Sequence, residues 1–285
     1  MDGIPIRHIK APQKEPAFSD NFSIRDIRVL LAEQDLVQEL HRHDFFFILV
    51  LKKASGHHEI DFTRYEVGNH TLFFMRPGQV HQLTLKAGST GYLIQFKVDF
   101  FYSQNHLSQL FLHKLSNKNY SKPDLNRFNK LNSMLAYIFE EYTGKQEGYQ
   151  AVIKSGMDIF FIELDRQYSS SPAGSVNQYL QERLDKLLAL IETSIFSQKQ
   201  VSQYAAMMNV STYQLNSITK ATLGKTCSEL INEQIILEAK RHLLATSNQV
   251  NQIADQLGYE DVSYFIRFFK KHTGYSPEAF RYNFR

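Results

Sequence analysis

The sequence predicts a multidomain α+β protein. Its N-terminal half reads as a β jelly roll followed by a helical pair, and its C-terminal half as an all-α domain with two helix-turn-helix units. Three observations carry this prediction. Short β-rich runs separated by turn residues fill residues 22 to about 102. From Pro123 the hydrophobic period switches to helical. Near the C-terminus a helix, turn, helix, stop pattern occurs twice, about fifty residues apart. The expected segments are an arm over 1–21, a β domain over 22–122, a helical pair over 123–168, a linker over 169–175 and a helical domain over 176–285.

Composition sets the bounds. A chain of 285 residues with 43% hydrophobic content suggests two ordinary domains with real cores. Net charge is only +3, so bulk charge does not argue for nucleic acid. Local charge does: Arg267, Lys270, Lys271, Arg281 and Arg285 stand against Glu278 alone in the last stretch. A solvated helix face is the plainer explanation of such a cluster. The single cysteine, Cys227, excludes an intrachain disulfide and fits a reducing compartment. With no secretory pattern at Met1-Asp2-Gly3-Ile4-Pro5 and no run of about 18 apolar residues, a cytoplasmic protein with no membrane span is expected.

The arm carries three prolines and little periodicity, so no regular structure is expected there. The β-rich runs are Ile24 to Leu31, Phe45 to Lys52, His58 to Phe62, Thr71 to Met75, Gln82 to Leu85 and Gly91 to Val98, with turns at Ser55-Gly56, Gly68-Asn69, Pro77-Gly78 and Gly88-Ser89. Phe45 to Leu51 is apolar at both parities, so parity does not say which side faces inward. His41-Arg42-His43 precedes that run, with both imidazoles on one side of an extended chain. His81 follows Pro77-Gly78.

These histidines resemble those of the cupin family, whose metal-binding members use a His-x-His pair, a nearby Glu and a later His. Here Phe47 fills the Glu position, which leaves His41, His43 and His81. Three histidines can hold zinc, but the lost carboxylate argues against it, and no metal or cofactor is expected. Two other readings stay open. The histidines line a pocket for a small molecule, with Phe47 and its neighbours as the apolar wall, or they merely cap strands.

Phe128, Leu131, Leu135, Ile138 and Tyr142 mark one amphipathic helix, and Ile153, Met157, Phe160 and Leu164 a second. Val152, Phe161 and Ile162 widen the second stripe, which is expected to leave apolar surface for a second copy of the chain. Ser169-Ser170-Ser171-Pro172-Ala173-Gly174-Ser175 reads as a linker.

Beyond it, Tyr179, Leu180, Leu184, Leu187, Leu188 and Ile191 mark an amphipathic helix. Ala205, Met208, Asn209 and Val210 then echo Ala254, Leu257, Gly258 and Tyr259. Leu215 echoes Phe265, Lys220 echoes Lys270, Gly224 echoes Gly274, and Thr226 echoes Ser276. Gly258 can take the positive φ of a tight turn, and Asn209 tolerates it. Ser211 and Asp261 can cap the second helix of each unit. A long helix from about Glu229 to Leu244 joins the two units.

Residues 253–281 resemble the C-terminal signature of the AraC/XylS family of bacterial transcription regulators. The match runs through Ile253, Ala254, Leu257, Gly258, Tyr259, Asp261, Ser263, Tyr264, Phe265, Arg267, Phe269, Lys270, Lys271, Gly274, Ser276, Pro277, Phe280 and Arg281. It extends more loosely over 176–285, and a cupin-like N-terminal half is a frequent companion in that family. The resemblance implies a sequence-specific DNA-binding regulator, often an activator, with a sensory N-terminal domain and no enzymatic activity. The family usually has Arg where Ser217 stands, Phe at Thr219 and Arg at Ile235, so the first unit is expected to grip DNA less specifically.

Placed on helical faces, Val262, Ser263, Ile266 and Arg267 are the expected DNA-reading residues of the second unit, and Lys270, Lys271 and Arg281 its phosphate contacts. Thr212, Tyr213, Asn216, Ser217 and Lys220 are the candidates in the first unit. The expected partners are double-stranded DNA, a small-molecule effector, a second copy of the chain and RNA polymerase. The alternatives are a metal-dependent cupin enzyme carrying a DNA-binding tail, and a regulator that needs no ligand.

Overall fold

Strand β4, Phe46–Lys53, is apolar at both parities because both of its faces are covered. Phe47, Leu49 and Leu51 point into one buried cluster with Phe45, Phe73, Met75, Leu83 and Leu85. Ile48 and Val50 point into another, with Phe22, Ile24, Leu72, Phe74, Ile94 and Phe96. The first cluster fills the space between two sheets; the second lies under a pair of helices. In this computed structural model the described residues are 4–9, 21–97, 100, 118–168 and 175–284.

The chain divides into two units, one of Ile6–Pro172 and one of Ala173–Arg285 with Met1–Pro5. The first is a two-layer β structure. The remaining strands are β1 Ile6–Arg7, β2 Phe22–Asp26, β3 Leu36–His43, β5 Gly56–Ile60, β6 Thr63–Val67, β7 Thr71–Met75, β8 Val80–Leu85, β9 Thr90–Phe96 and β10 Tyr120–Ser121. One five-stranded sheet runs β1-β3-β8-β5-β6 and the other β10-β7-β4-β9-β2. Among the described residues all pairings are antiparallel except β1 on β3.

Several expectations need correcting here. The arm is not wholly irregular: Ile6 and Arg7 pair in parallel with Arg42 and His43. The expected strand from Ile24 to Leu31 ends at Asp26, whose carboxylate accepts from the Arg28 backbone N–H and starts a short helix, α1, Ile27–Leu31. His41 and His43 precede β4 as expected, but they also end a strand of their own, β3, which charged and amide side chains conceal in the sequence. The end of the expected last strand at Val98 and most of the expected linker lie outside the described residues, while Ser175 opens a helix.

Helices α2, Leu125–Gly144, and α3, Tyr149–Tyr168, follow the expected stripes. They belong to the same unit as the sheets and cover the outer face of the β4 sheet. Phe161, expected to widen an exposed stripe, is fully buried there, edge-on to Phe96 at 5.8 Å. At Gly156 an added Cβ would lie 2.9 Å from Ile138 Cγ1, so this glycine sets how closely the two helices cross.

The second unit is all helical: α4 Ser175–Ser194, α5 Val201–Met207, α6 Thr212–Leu223, α7 Cys227–Ala245, α8 Val250–Gln256, α9 Val262–Thr273 and α10 Pro277–Phe284. It has two buried clusters. One gathers Leu184, Leu187, Ile191, Tyr204, Leu215, Ile218, Cys227 and Ile231, the other Ile253, Ala254, Leu257, Phe265, Phe269 and Phe280. Helix α7 contributes to both, and Tyr259 and Phe268 pack against both. Among the described residues, no helix is long and apolar enough to cross a membrane.

Candidate nucleic-acid interface and histidine-lined interior

The two helix pairs α5–α6 and α8–α9 are built alike. The turn residue has positive φ in each, 53° at Asn209 and 71° at Gly258. The residue after it bonds back into the first helix: Val210 N–H donates to Ala205 O at 3.0 Å and Tyr259 N–H to Ala254 O at 2.9 Å. Ser211 and Asp261 then cap the second helices through their side-chain oxygens. Both second helices are 12 residues long and stop at a left-handed glycine, Gly224 and Gly274. Each is followed by a further helix capped at Thr226 or Ser276.

This construction fixes which face is free. On α9, Phe265 and Phe269 are buried, and Ser263, Arg267, Lys270 and Lys271 form an exposed row at i, i+4, i+7, i+8. The Arg267 side chain is 70% exposed and makes a long 3.9 Å pair with Asp261. On α6, Leu215, Ile218 and Thr219 are buried, and Tyr213, Ser217 and Lys220 make the matching row, with Thr212 exposed beside it. Tyr213 is 82% exposed. The first face is therefore nearly neutral and the second cationic. Thr219 and Ile235, where the family pattern has larger or charged residues, are both buried.

Not every predicted residue belongs to these rows. Asn216 is turned inward. Its amide N–H₂ donates to Thr212 O at 3.1 Å and its oxygen accepts from Cys227 N–H at 3.0 Å, so it ties α6 to the start of α7 and has no free edge for a base. Arg281 is half-buried, with Nε donating to Leu243 O at 2.9 Å and Nη2 to Asn248 O. It closes the C-terminal end of α7 and does not point outward as a phosphate contact would. Val262 and Ile266 are half-buried and pack on the second cluster. Tyr264, 53% exposed, was passed over because it reads as one more aromatic of an apolar stripe.

In the N-terminal unit the structure brings the predicted histidines together. A register shift in β3 between Gln38 and His41 breaks the strand's alternation, and His41 and His43 both turn inward beyond it. His81 pairs with His41 in register on the neighbouring strand β8. His81 Nε2 lies 2.8 Å from His43 Nε2 and 3.1 Å from His41 Nε2. His58, on β5, adds a fourth ring, with its Nε2 2.8 Å from His81 Nδ1. The sequence reading missed His58 because His57 beside it hides the strand's alternation. Phe47 lies across the sandwich, stacked on His43 at 5.4 Å and edge-on to His81 at 5.2 Å.

Burial holds His41 down to about 4 and His43 and His58 to about 3, and pulls His81 well below its ordinary 6.5; repulsion from neighbouring histidines adds to it at His43, His58 and His81. The four rings are thus neutral near pH 7. His41, His43 and His81 could hold a metal ion, each offering one donor atom within 4.8 Å of the others.

Residues 204–283 match the family model of a helix-turn-helix domain, and residues 29–110 that of an AraC-like ligand binding domain. The chain is 22% identical over 254 residues to the uncharacterized HTH-type transcriptional regulator YfiF of Bacillus subtilis, covering 85% of this chain and 78% of the relative. It is 20% identical over 246 residues to the HTH-type transcriptional activator RhaR of Cronobacter sakazakii, covering 85% and 86%. Among solved structures it is similar to the C-terminal domain of the response regulator yesN from Fusobacterium nucleatum, at 30% identity and TM-score 0.34 over 35% of this chain and 98% of that one. ToxT from Vibrio cholerae is 14% identical, with TM-score 0.44 over 92% and 97%. With paired helix-turn-helix units behind a two-sheet ligand-binding fold, the chain belongs to the AraC family of transcription regulators and is a DNA-binding protein.

Proposed function

We propose that α6 and α9 enter successive major-groove faces of one duplex, about one turn or roughly 10 base pairs apart. Arg267 donates to guanine or to a phosphate, Ser263 bonds a base edge, and Lys270 and Lys271 meet phosphates. In the first unit Thr212, Tyr213 and Ser217 meet base edges and Lys220 a phosphate. Val262 and Ile266 reach thymine methyls only from the rim of their packed positions. The observation that carries this reading is the repeat itself: two helices of equal length, cap and stop, each with one buried and one free face.

The interior lined by His41, His43, His58, His81 and Phe47 is the effector site, and the chain acts through binding and not catalysis. Kinship to a relative described as an activator favours activation through RNA polymerase, in the cytoplasm. A second copy of the chain docks on the outer groove between α2 and α3. That groove, of about 420 Å³, is lined by Met134, Tyr137, Ala151, Val152, Gly156 and Ile159. Competition of full-length protein between a selected duplex and bulk DNA tests the reading. Retention of the selected duplex under excess competitor supports it, and equal displacement by both removes it.

A further inference from the structure

The two helix pairs of the C-terminal unit meet along a narrow seam. Helix α7 contributes to both buried clusters, and Tyr259 and Phe268, each half-buried, pack against both. A polar contact crosses the same seam. Lys199 lies in the loop before α5, and that loop is fixed to the first pair. Ser197 and Gln198 N–H donate to Ser194 O at 3.0 and 2.8 Å, and Lys199 N–H donates to Gln203 Oε1 at 3.0 Å. The hydroxyl of buried Tyr204 donates to Gln198 O at 2.7 Å. From this anchored backbone the Lys199 side chain reaches the second pair. Its Nζ donates to Phe196 O at 3.2 Å and, 59 positions along the chain, to Gly258 O at 3.0 Å, and it lies over the Tyr259 ring at 5.1 Å. A surface lysine ordinarily keeps its ammonium in water. Here two carbonyls and an aromatic face take the place of part of that water. Gly258 makes the room: an added Cβ would lie 2.8 Å from Nζ itself.

We infer that Lys199 is a positioning residue for DNA reading: it clamps the two helix pairs at one relative setting, and so fixes the spacing between the two base-pair blocks that α6 and α9 accept together. The inference rests on the proposal that these two helices read one duplex. A base pair inserted between the blocks moves one of them by about 3.4 Å and turns it by roughly 34° about the duplex axis. A chain that holds both blocks must follow by rocking one helix pair against the other. Rocking draws Gly258 O away from the ammonium, and a hydrogen bond to a charged group is worth about tenfold in an equilibrium. The movement is passed on directly, because Gly258 and Tyr259 lead into Asp261, the cap of α9. Lys199 itself stands on neither exposed row, since those lie on α6 and α9. It acts through Gly258 and Tyr259 and not through the duplex.

The test uses the full chain and duplexes built from the two blocks that random selection enriches, at the selected spacing and with one base pair added or removed. Wild type should favour the selected spacing. Lys199→Met keeps an apolar stem against Tyr259 and removes the ammonium, so it should lower that preference by about tenfold. Lys199→Ala should act in the same direction. The slope of log affinity against log salt should not change in either, since no phosphate contact is lost. The preference is a ratio, so any unfolded fraction of a variant scales all three duplexes alike and cancels. A preference as sharp in both variants as in wild type overturns the inference. So does an equal loss on all three duplexes with the slope reduced by about one, which makes Lys199 a phosphate contact. Both of those results leave the paired-helix reading standing, whereas a wild-type chain that enriches one block, or tolerates every spacing, overturns the reading beneath.

Discussion

Ser217 and Arg267 occupy the same place on two matched helices, fifty residues apart, each in the middle of the exposed row. One presents a hydroxyl and the other a guanidinium, so the units are alike in shape and unlike in charge. Arg267→Ala is expected to weaken specific binding by about 1–3 kcal/mol. Ser217→Arg should raise affinity and steepen the salt dependence by about one phosphate contact. Titrations of both variants at several salt concentrations check this.

Gly258 differs from Asn209 in more than φ. An added Cβ at Gly258 would lie 2.1 Å from the Phe196 carbonyl oxygen, on the loop before α5. Lys199 Nζ donates to both Phe196 O and Gly258 O at that contact. Gly258→Ala therefore combines left-handed strain of about 1–3 kcal/mol with a backbone clash. It should cost more than that strain alone in denaturant unfolding. Asn209→Gly should change stability by less than about 1 kcal/mol.

Arg281 and Lys271 should separate by their symptoms. Arg281 bonds carbonyls at the end of α7, so Arg281→Ala is expected to lose about 1.5–3 kcal/mol of stability. The slope of log affinity against log salt should not change. Lys271 is exposed at the end of α9, so Lys271→Ala should leave the melting temperature alone and reduce that slope by about one.

The helical half was largely legible because its caps, glycine stops and apolar spacing repeat, and each has a local cause. The residues misassigned there, Asn216 and Arg281, have side chains aimed at backbone groups 11 and 38 positions away, which no local pattern records. The β half was legible in class only. β6, Thr63–Val67, is a sheet edge with exposed Thr63, Arg64 and Glu66, and so lacks an apolar signature. The convergence of His58 with the other histidines depends on the order β3-β8-β5, which spacing along the chain does not reveal.

Cys227 and Tyr204 are buried in one cluster, and burial raises the thiol from 9 to about 11 and the phenol from 10 to about 12. Both acids are raised, so their contribution is full below about pH 9 and is lost as pH rises through about 11 to 12. Melting of the full chain should therefore fall between pH 8 and pH 11. At pH 8 a thiol reagent should react with Cys227 only on unfolding.

Tyr137 and Ile159 are about half exposed on the outer groove of the helical pair. Placing a carboxylate there with Tyr137→Glu or Ile159→Glu should shift sedimentation from dimer to monomer at micromolar protein. The thermal transition of the unit should survive, since neither residue belongs to the buried cluster beneath.

Selection of bound sites from a pool of random duplexes by the full chain tests the paired-helix account most directly. It should enrich two short blocks roughly 10 base pairs apart, the sharper one losing its preference in Arg267→Ala. Enrichment of a single block that Arg267→Ala leaves intact, or no enrichment at all, would contradict it.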